Sequence, residues 1–150
     1  MRYGHTNLIA RDWKALSRFY VDVFGCAPML PERDLTGDWL DRATGIPGAH
    51  LRGVHLRLPG HGPDGPSLEI FTYDTTTPEM PQRPDRTGFG HIAFQVPDVA
   101  AAVAAVVAHG GSRLGEIVEV TIPGAGPLTW TYVRDPEGNI VELQRWGETR

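Results

Sequence analysis

The chain states one pattern twice: Tyr3-Gly4-His5 ahead of Asp12-Trp13 returns as Phe89-Gly90-His91 ahead of Asp98-Val99. Subtracting 5 from 91 and 12 from 98 gives 86 in both cases, and so long a period in two copies marks a duplicated module rather than a solenoid. Each copy closes on an apolar run around a glutamate, Leu68-Glu69-Ile70-Phe71 and Val141-Glu142-Leu143-Gln144. Both modules should therefore share one topology. Two histidines and two carboxylates at equivalent places point to one shared metal ion.

Each module opens with a strand pattern, Tyr3 to Ile9 and Gly88 to Val96, followed by an amphipathic helix behind Asp12 or Asp98, both good N-caps. Gly25 and Gly110 supply the helix stops. Further strands are read at Gly53 to Leu58, Ser67 to Thr72, Ile117 to Thr121, Leu128 to Val133 and Ile140 to Gln144, with a weak one around Ala27 to Leu30. Asp135-Pro136-Glu137-Gly138-Asn139 reads as a hairpin turn. The expected plan is β-α-β-β-β twice, an α+β fold whose curved, cupped mixed sheet carries its helices on the outer face. Module 1 covers about 1–73 and module 2 about 88–146. A linker at 74–87, with Pro78, Pro81 and Pro84, is unable to pair as an inner strand.

From histidine to glutamate the first copy spans 69 minus 5, or 64, residues and the second 142 minus 91, or 51, so the first carries 13 more. The excess falls between Pro31 and Arg52, among turn formers around Trp39-Leu40. Two readings are open for it: a lid over a pocket, or a surface loop whose Trp39 and Leu40 fill a small core of their own.

The whole sequence of 150 residues suits a single domain with a sizeable core. A net charge of -4 offers no basic stripe for nucleic acid or anionic lipid, so the expected partner is a small molecule. No apolar run reaches the roughly 20 residues that span a bilayer, and no signal-type stretch precedes the first strand; a cytoplasmic location is expected. Cys26 is the only cysteine, which excludes a disulfide within the chain and a thiolate cluster. Any metal must take nitrogen and oxygen ligands.

Period-two alternation decides which way the polar groups face. If Ile92, Phe94 and Val96 cover a helix, His91 points the other way, and the same count turns Glu69 and Glu142 to that side. His5 repeats the case with Thr6 and Leu8 against the helix. Such groups on an apolar surface are costly to desolvate unless paired or coordinated. Two neutral imidazoles and two carboxylates balance one divalent ion, compatible with Ni, Zn, Co, Mn or Fe. An ordinary alternative pairs an inward glutamate with Arg57 or Arg113. On the Gly53 to Leu58 strand, His55 and Arg57 should face the cavity as substrate contacts, and Trp130 and Tyr132 share a strand face. His50, His61 and His109 read as solvated groups in loops or at a helix end.

At these residues the chain resembles the vicinal oxygen chelate superfamily, the glyoxalase, bleomycin-resistance and extradiol-dioxygenase grouping. The carriers are the paired modules, Gly90-His91-Ile92-Ala93-Phe94-Gln95-Val96, and above all Arg134-Asp135-Pro136-Glu137-Gly138-Asn139-Ile140-Val141-Glu142-Leu143. The resemblance covers nearly the whole chain, so 1–150 is expected to be one such domain. In metal-dependent members the ligands lie on the first and last strands of each module, which correspond here to His5, Glu69, His91 and Glu142. Likeness to glyoxalase I implies that set, whereas methylmalonyl-CoA epimerase-like members carry Gln where Glu69 stands.

The implied activity is that of a metal-dependent lyase or isomerase, lactoylglutathione lyase-like, acting on a small α-oxo or α-hydroxy carbonyl compound through a metal-bound enediolate. Glu142 is expected as the base, with Glu69 the other contender. Alternatives within the grouping are an Fe(II)-dependent extradiol-type dioxygenase using His5, His91 and Glu142, or a non-catalytic binding protein that confers antibiotic resistance. The resemblance also implies a homodimer.

Overall fold

The computed structural model describes residues 1–77 and 80–147, so Pro78 of the expected linker lies outside the described residues. The chain divides into two compact units, Met1–Glu79 and Met80–Arg150. The first contains β1 (His5–Ile9), α1 (Trp13–Phe24), β2 (Ala27–Thr36), α2 (Asp38–Thr44), β3 (His50–Arg57) and β4 (Ser67–Tyr73). Its four-stranded sheet has the order β1-β4-β3-β2, parallel between β1 and β4 and antiparallel elsewhere.

The second unit contains β5 (Ile92–Gln95), α3 (Val99–Ala108), β6 (Ser112–Arg113), β7 (Val118–Ile122), β8 (Gly126–Arg134) and β9 (Ile140–Trp146). Here β5 runs parallel to β9, and β8 pairs with β9 on one side and with β6 and β7 on the other. Ser112 opposes Arg134 and Val118 opposes Trp130, so β6 and β7 follow one another along β8 as one interrupted strand, the counterpart of β2. Both units thus place their first and last strands side by side. That adjacency brings each module's histidine to its glutamate.

The helices form where the caps predict. Asp12 accepts hydrogen bonds from the amides of Lys14 and Ala15, and Asp98 accepts one from Ala101. Gly25 ends α1 in the left-handed region at φ 69°, a conformation that costs a residue with a Cβ. α1 buries Leu16, Phe19, Tyr20 and Phe24, packing on β3 and β4, whose Val54, Leu56, Leu68 and Ile70 are also buried. α3 buries Val99, Val103 and Val106, packing on β8 and β9 with their buried Val133, Val141 and Leu143.

Two expectations need correction. The first strands start later than the pattern suggested: β1 begins at His5 and β5 at Ile92, leaving His91 just ahead of its strand, because the ladder to β9 begins only at Ile92. The weak strand at Ala27 is in fact long, running to Thr36 through an irregularity between Met29 and Arg33. Its charged Glu32-Arg33-Asp34 stretch hides it from a hydrophobicity pattern.

The excess residues do fill a small core of their own through Leu40, as one reading expected, but from a short helix rather than a loop and without Trp39. They form α2, whose Leu40 is buried with Ala49, Leu51 and Phe71, flanked by Leu35 and Tyr73, while Trp39 stays exposed. Leu51 opposes Tyr73, Gly53 opposes Phe71 and His55 opposes Glu69, so these residues share the sheet face opposite α1. α2 therefore sits on the same face as Glu69, beyond Phe71. The Asp41 carboxylate fixes the return, accepting from the Gly48 and Ala49 amides at 2.7 and 2.8 Å.

The turn between β8 and β9 is built on buried Asp135, which accepts from the amides of Glu137 and Asn139 and from Asn139 Nδ2 at 2.8–2.9 Å. Arg134 closes over it, donating to the carbonyls of Gly138 and Gln82. The motif sets the hairpin register that aligns Tyr132 with Glu142. Asp135→Ala is expected to cost about 1.5–3 kcal/mol, because three donors lose a charged acceptor. A lower denaturant midpoint with unchanged slope checks this. Burial pushes the Cys26 thiol up to about 11, so the folded chain should resist alkylation by iodoacetamide at neutral pH and react once unfolded in urea.

Candidate functional site

In the first unit, β4 lies between β1 and β3, with Glu69 in register with Asn7 on one side and His55 on the other. Period two puts His5 on the same face as Asn7. The result is a carboxylate with three polar neighbours. Glu69 Oε1 stands 3.3 Å from His5 Nδ1 and 3.3 Å from His55 Nε2, and Asn7 Nδ2 donates to Oε2 at 3.5 Å. Glu69 is 8% exposed, so these contacts compensate a charge that apolar Leu68, Ile70 and Phe71 do not. The arginine pairing considered from sequence is not what the structure forms.

His55 is packed edge-on against Phe71, with ring centroids 5.7 Å apart. Burial pulls its imidazole below the ordinary histidine range; the Glu69 charge opposes that shift, while Arg33 and His5 reinforce it. A neutral ring retains a nitrogen lone pair. Arg57 lies exposed on the same face, opposite Ser67.

The second unit repeats the arrangement with different neighbours. His91 Nε2 stands 3.1 Å from Glu142 Oε2. Tyr132 is in register with Glu142 as His55 is with Glu69, and Ala93 occupies the position of Asn7. Burial first, then the charge of the neighbouring Glu142 carboxylate and hydrogen bonding toward it, raise the Tyr132 phenol above its usual range. The Tyr132 ring lies 5.0 Å from His91 and 5.0 Å from Trp130, the latter edge-on at 83°. All four second-module candidates therefore share one neighbourhood.

Asn7 escaped the sequence reading, although its signal was present: it lies two residues from His5 and so on the same strand face. His50 is a correction. It is not a solvated loop group but the first residue of β3, with each ring nitrogen against a carboxylate. His109 caps α3 and contacts the Ala105 carbonyl through Nδ1 at 2.8 Å. A cleft of about 620 Å³ lined by Arg11, Trp13, Lys14, Asp34, Arg52 and Thr72 lies on the α1 side of the first sheet, away from Glu69.

The donor chemistry fits a divalent ion. Ligands 2.0–2.2 Å from a common ion and at right angles to each other lie about 3 Å apart, close to the 3.3 Å of His5 and Glu69 and the 3.1 Å of His91 and Glu142. Within each unit the donors come as such a pair. Among the described residues, no group of three or more His, Cys, Asp or Glu is gathered to hold an ion. No helix among them is long and apolar enough to cross a membrane.

Known proteins share this architecture. The chain is 27% identical over 143 residues to the uncharacterized protein YaeR of Escherichia coli K12, covering 93% of this chain and 92% of that one. A glyoxalase family protein from Bacillus cereus superposes with a TM-score of 0.84 at 18% identity, covering 98% of this chain and 95% of its own. The fosfomycin resistance protein FosX of Listeria monocytogenes, solved with Mn(II) and sulfate, gives 0.55 at 16% identity over 97% and 91%. With the duplicated strand order and the paired histidine and glutamate in view, the family model that matches residues 2–143 identifies the chain as a member of the Glyoxalase/Bleomycin resistance protein/Dioxygenase superfamily.

Proposed function

We propose that this protein is a metal-dependent lyase or isomerase acting on a small α-oxo or α-hydroxy carbonyl compound. The observation that carries the reading is the repeated histidine and glutamate pair, 3.3 and 3.1 Å apart, on the sheet face turned away from α1 or α3. His5, Glu69, His91 and Glu142 would be the ligands, each pair offering one imidazole and one carboxylate to a divalent ion. Such an ion, when bound, polarises a substrate carbonyl and acidifies the neighbouring C–H.

The protein's part is to move that proton. Glu142 is the better base of the two glutamates, because one imidazole and one phenol hold it, whereas three groups engage Glu69. Tyr132 keeps its proton at neutral pH and steers the Glu142 carboxylate. His55 does the same for Glu69 from the neighbouring strand. The half-buried pair Trp130 and Tyr132 offers apolar surface for the substrate's carbon skeleton, and exposed Arg57 suits an anionic group.

Elemental analysis tests the ligand set. The purified wild type should carry about one divalent ion per chain, and His5→Ala and His91→Ala should each lose most of it. Metal content equal to wild type in both variants would overturn the reading. Glu142→Gln should slow exchange of the substrate α-proton into D2O, followed by NMR on α-oxo and α-hydroxy carbonyl compounds, by about 10²–10⁴-fold. Oxygen uptake on catechol would instead indicate ring cleavage. Tight binding without metal or turnover would indicate sequestration.

A further inference from the structure

We propose that His50 is a pH-operated clamp on the stem of the α2 excursion, stapling the ends of β2, β3 and β4 from the α1 face when charged and loosening that stem, and with it α2, when neutral. The geometry is a histidine with an acidic partner on each side: Nε2 is 2.6 Å from Asp34 Oδ1 and Nδ1 is 2.7 Å from Asp74 Oδ2. Carboxylate oxygens only accept hydrogen bonds, so both contacts together require both ring nitrogens to carry protons. A neutral ring has one N–H and would turn a lone pair toward the other carboxylate. Losing one proton therefore breaks one of the two links.

The links lie on the α1 face, opposite the one on which α2 packs, and act on the excursion through its stem, where the ladder pairs Leu35 with Leu51 and Thr36 with His50. Asp34 is near the end of β2, His50 opens β3, and everything between them includes α2 and its return. Asp74, just past β4, also donates its amide to the His50 carbonyl at 3.1 Å, which anchors the clamp to the sheet. The charged groups near it include Arg11, Lys14 and Glu32, which line the same cleft as Asp34 and Arg52. Arg52, on β3 and in register with Asp34, pairs with Asp74. Asp41, on α2, is turned to the Gly48 and Ala49 amides. With His50 charged, its imidazolium bridges Asp34 and Asp74; without its proton that bridge is lost, while Arg52 still pairs with Asp74.

The bonds to Asp34 and then Asp74 raise the His50 imidazole above the ordinary histidine value. Since the folded value is the higher one, the clamp's contribution is complete below the unfolded histidine value and is lost as pH rises through the raised one. What it releases is defined by packing: Leu40 of α2 shares a buried cluster with Phe71, whose ring abuts His55 beside Glu69. Only this link to access rests on the proposed function. The clamp itself needs neither metal nor substrate.

Amide hydrogen exchange tests it, corrected for intrinsic rates and measured alongside ¹⁵N NMR of the His50 ring from about pH 5.5 to about 9.5. Protection at the amides of Leu40, Asp41, Gly45, Gly48 and Ala49 should fall by about 5-fold or more as His50 loses its proton. His50→Gln should show low, flat protection, and His50→Lys, which keeps a cation, should show high, flat protection. Flat wild-type protection while His50 titrates would overturn the proposal, as would a wild-type-like fall in His50→Gln. If the His50 variants do not fold, Asp34→Asn should move the wild-type transition to lower pH, and an unmoved midpoint would refute the clamp. None of these outcomes depends on metal content or turnover, so failure of the proposed function remains distinguishable.

Discussion

The candidate site depends on the burial of a carboxylate at the centre of a three-strand ladder. Glu69 lies in a run whose neighbours are apolar and buried, so its charge must be met from the adjacent strands. Register decides who meets it: Asn7 from the parallel side, His55 from the antiparallel side, and His5 one strand repeat away. A shift of one residue in either pairing would turn these groups to the α1 face and leave the carboxylate uncompensated. The architecture of the unit and the chemistry of its face are thus the same constraint.

Duplication then explains both the sameness and the difference of the two units. The parallel pairing of first and last strands recurs, so each histidine meets its glutamate. The side positions have diverged: Asn7 and His55 around Glu69 become Ala93 and Tyr132 around Glu142. The first unit is the more polar and more tightly engaged. The second is aromatic, with His91, Tyr132 and Trp130 in succession. Two carboxylates of the same origin are thereby placed in environments able to give them different roles.

The inserted segment adds a control absent from the second unit. α2 is held by one buried leucine, a carboxylate that fixes its return, and a histidine set between two aspartates at its base. Such a segment belongs to the low-stability end of a fold, where small changes in charge have large effects on opening.

The sequence by itself determined the repeat, the helix caps, the turn at Asp135 and the sheet face on which His5, Glu69, His91 and Glu142 lie. Each is written in spacings of two, in short-range hydrogen bonds or in the 86-residue period given by 91 minus 5. Only the tertiary structure decided that β2 extends through a charged stretch, that α2 packs on the glutamate's face, that His55 and Asn7 address Glu69, and that His50 joins Asp34 to Asp74. Apart from the packing of α2, these are cross-strand contacts between residues 14 (69 minus 55) to 62 positions apart. Strand register, which no local pattern encodes, brings such residues together.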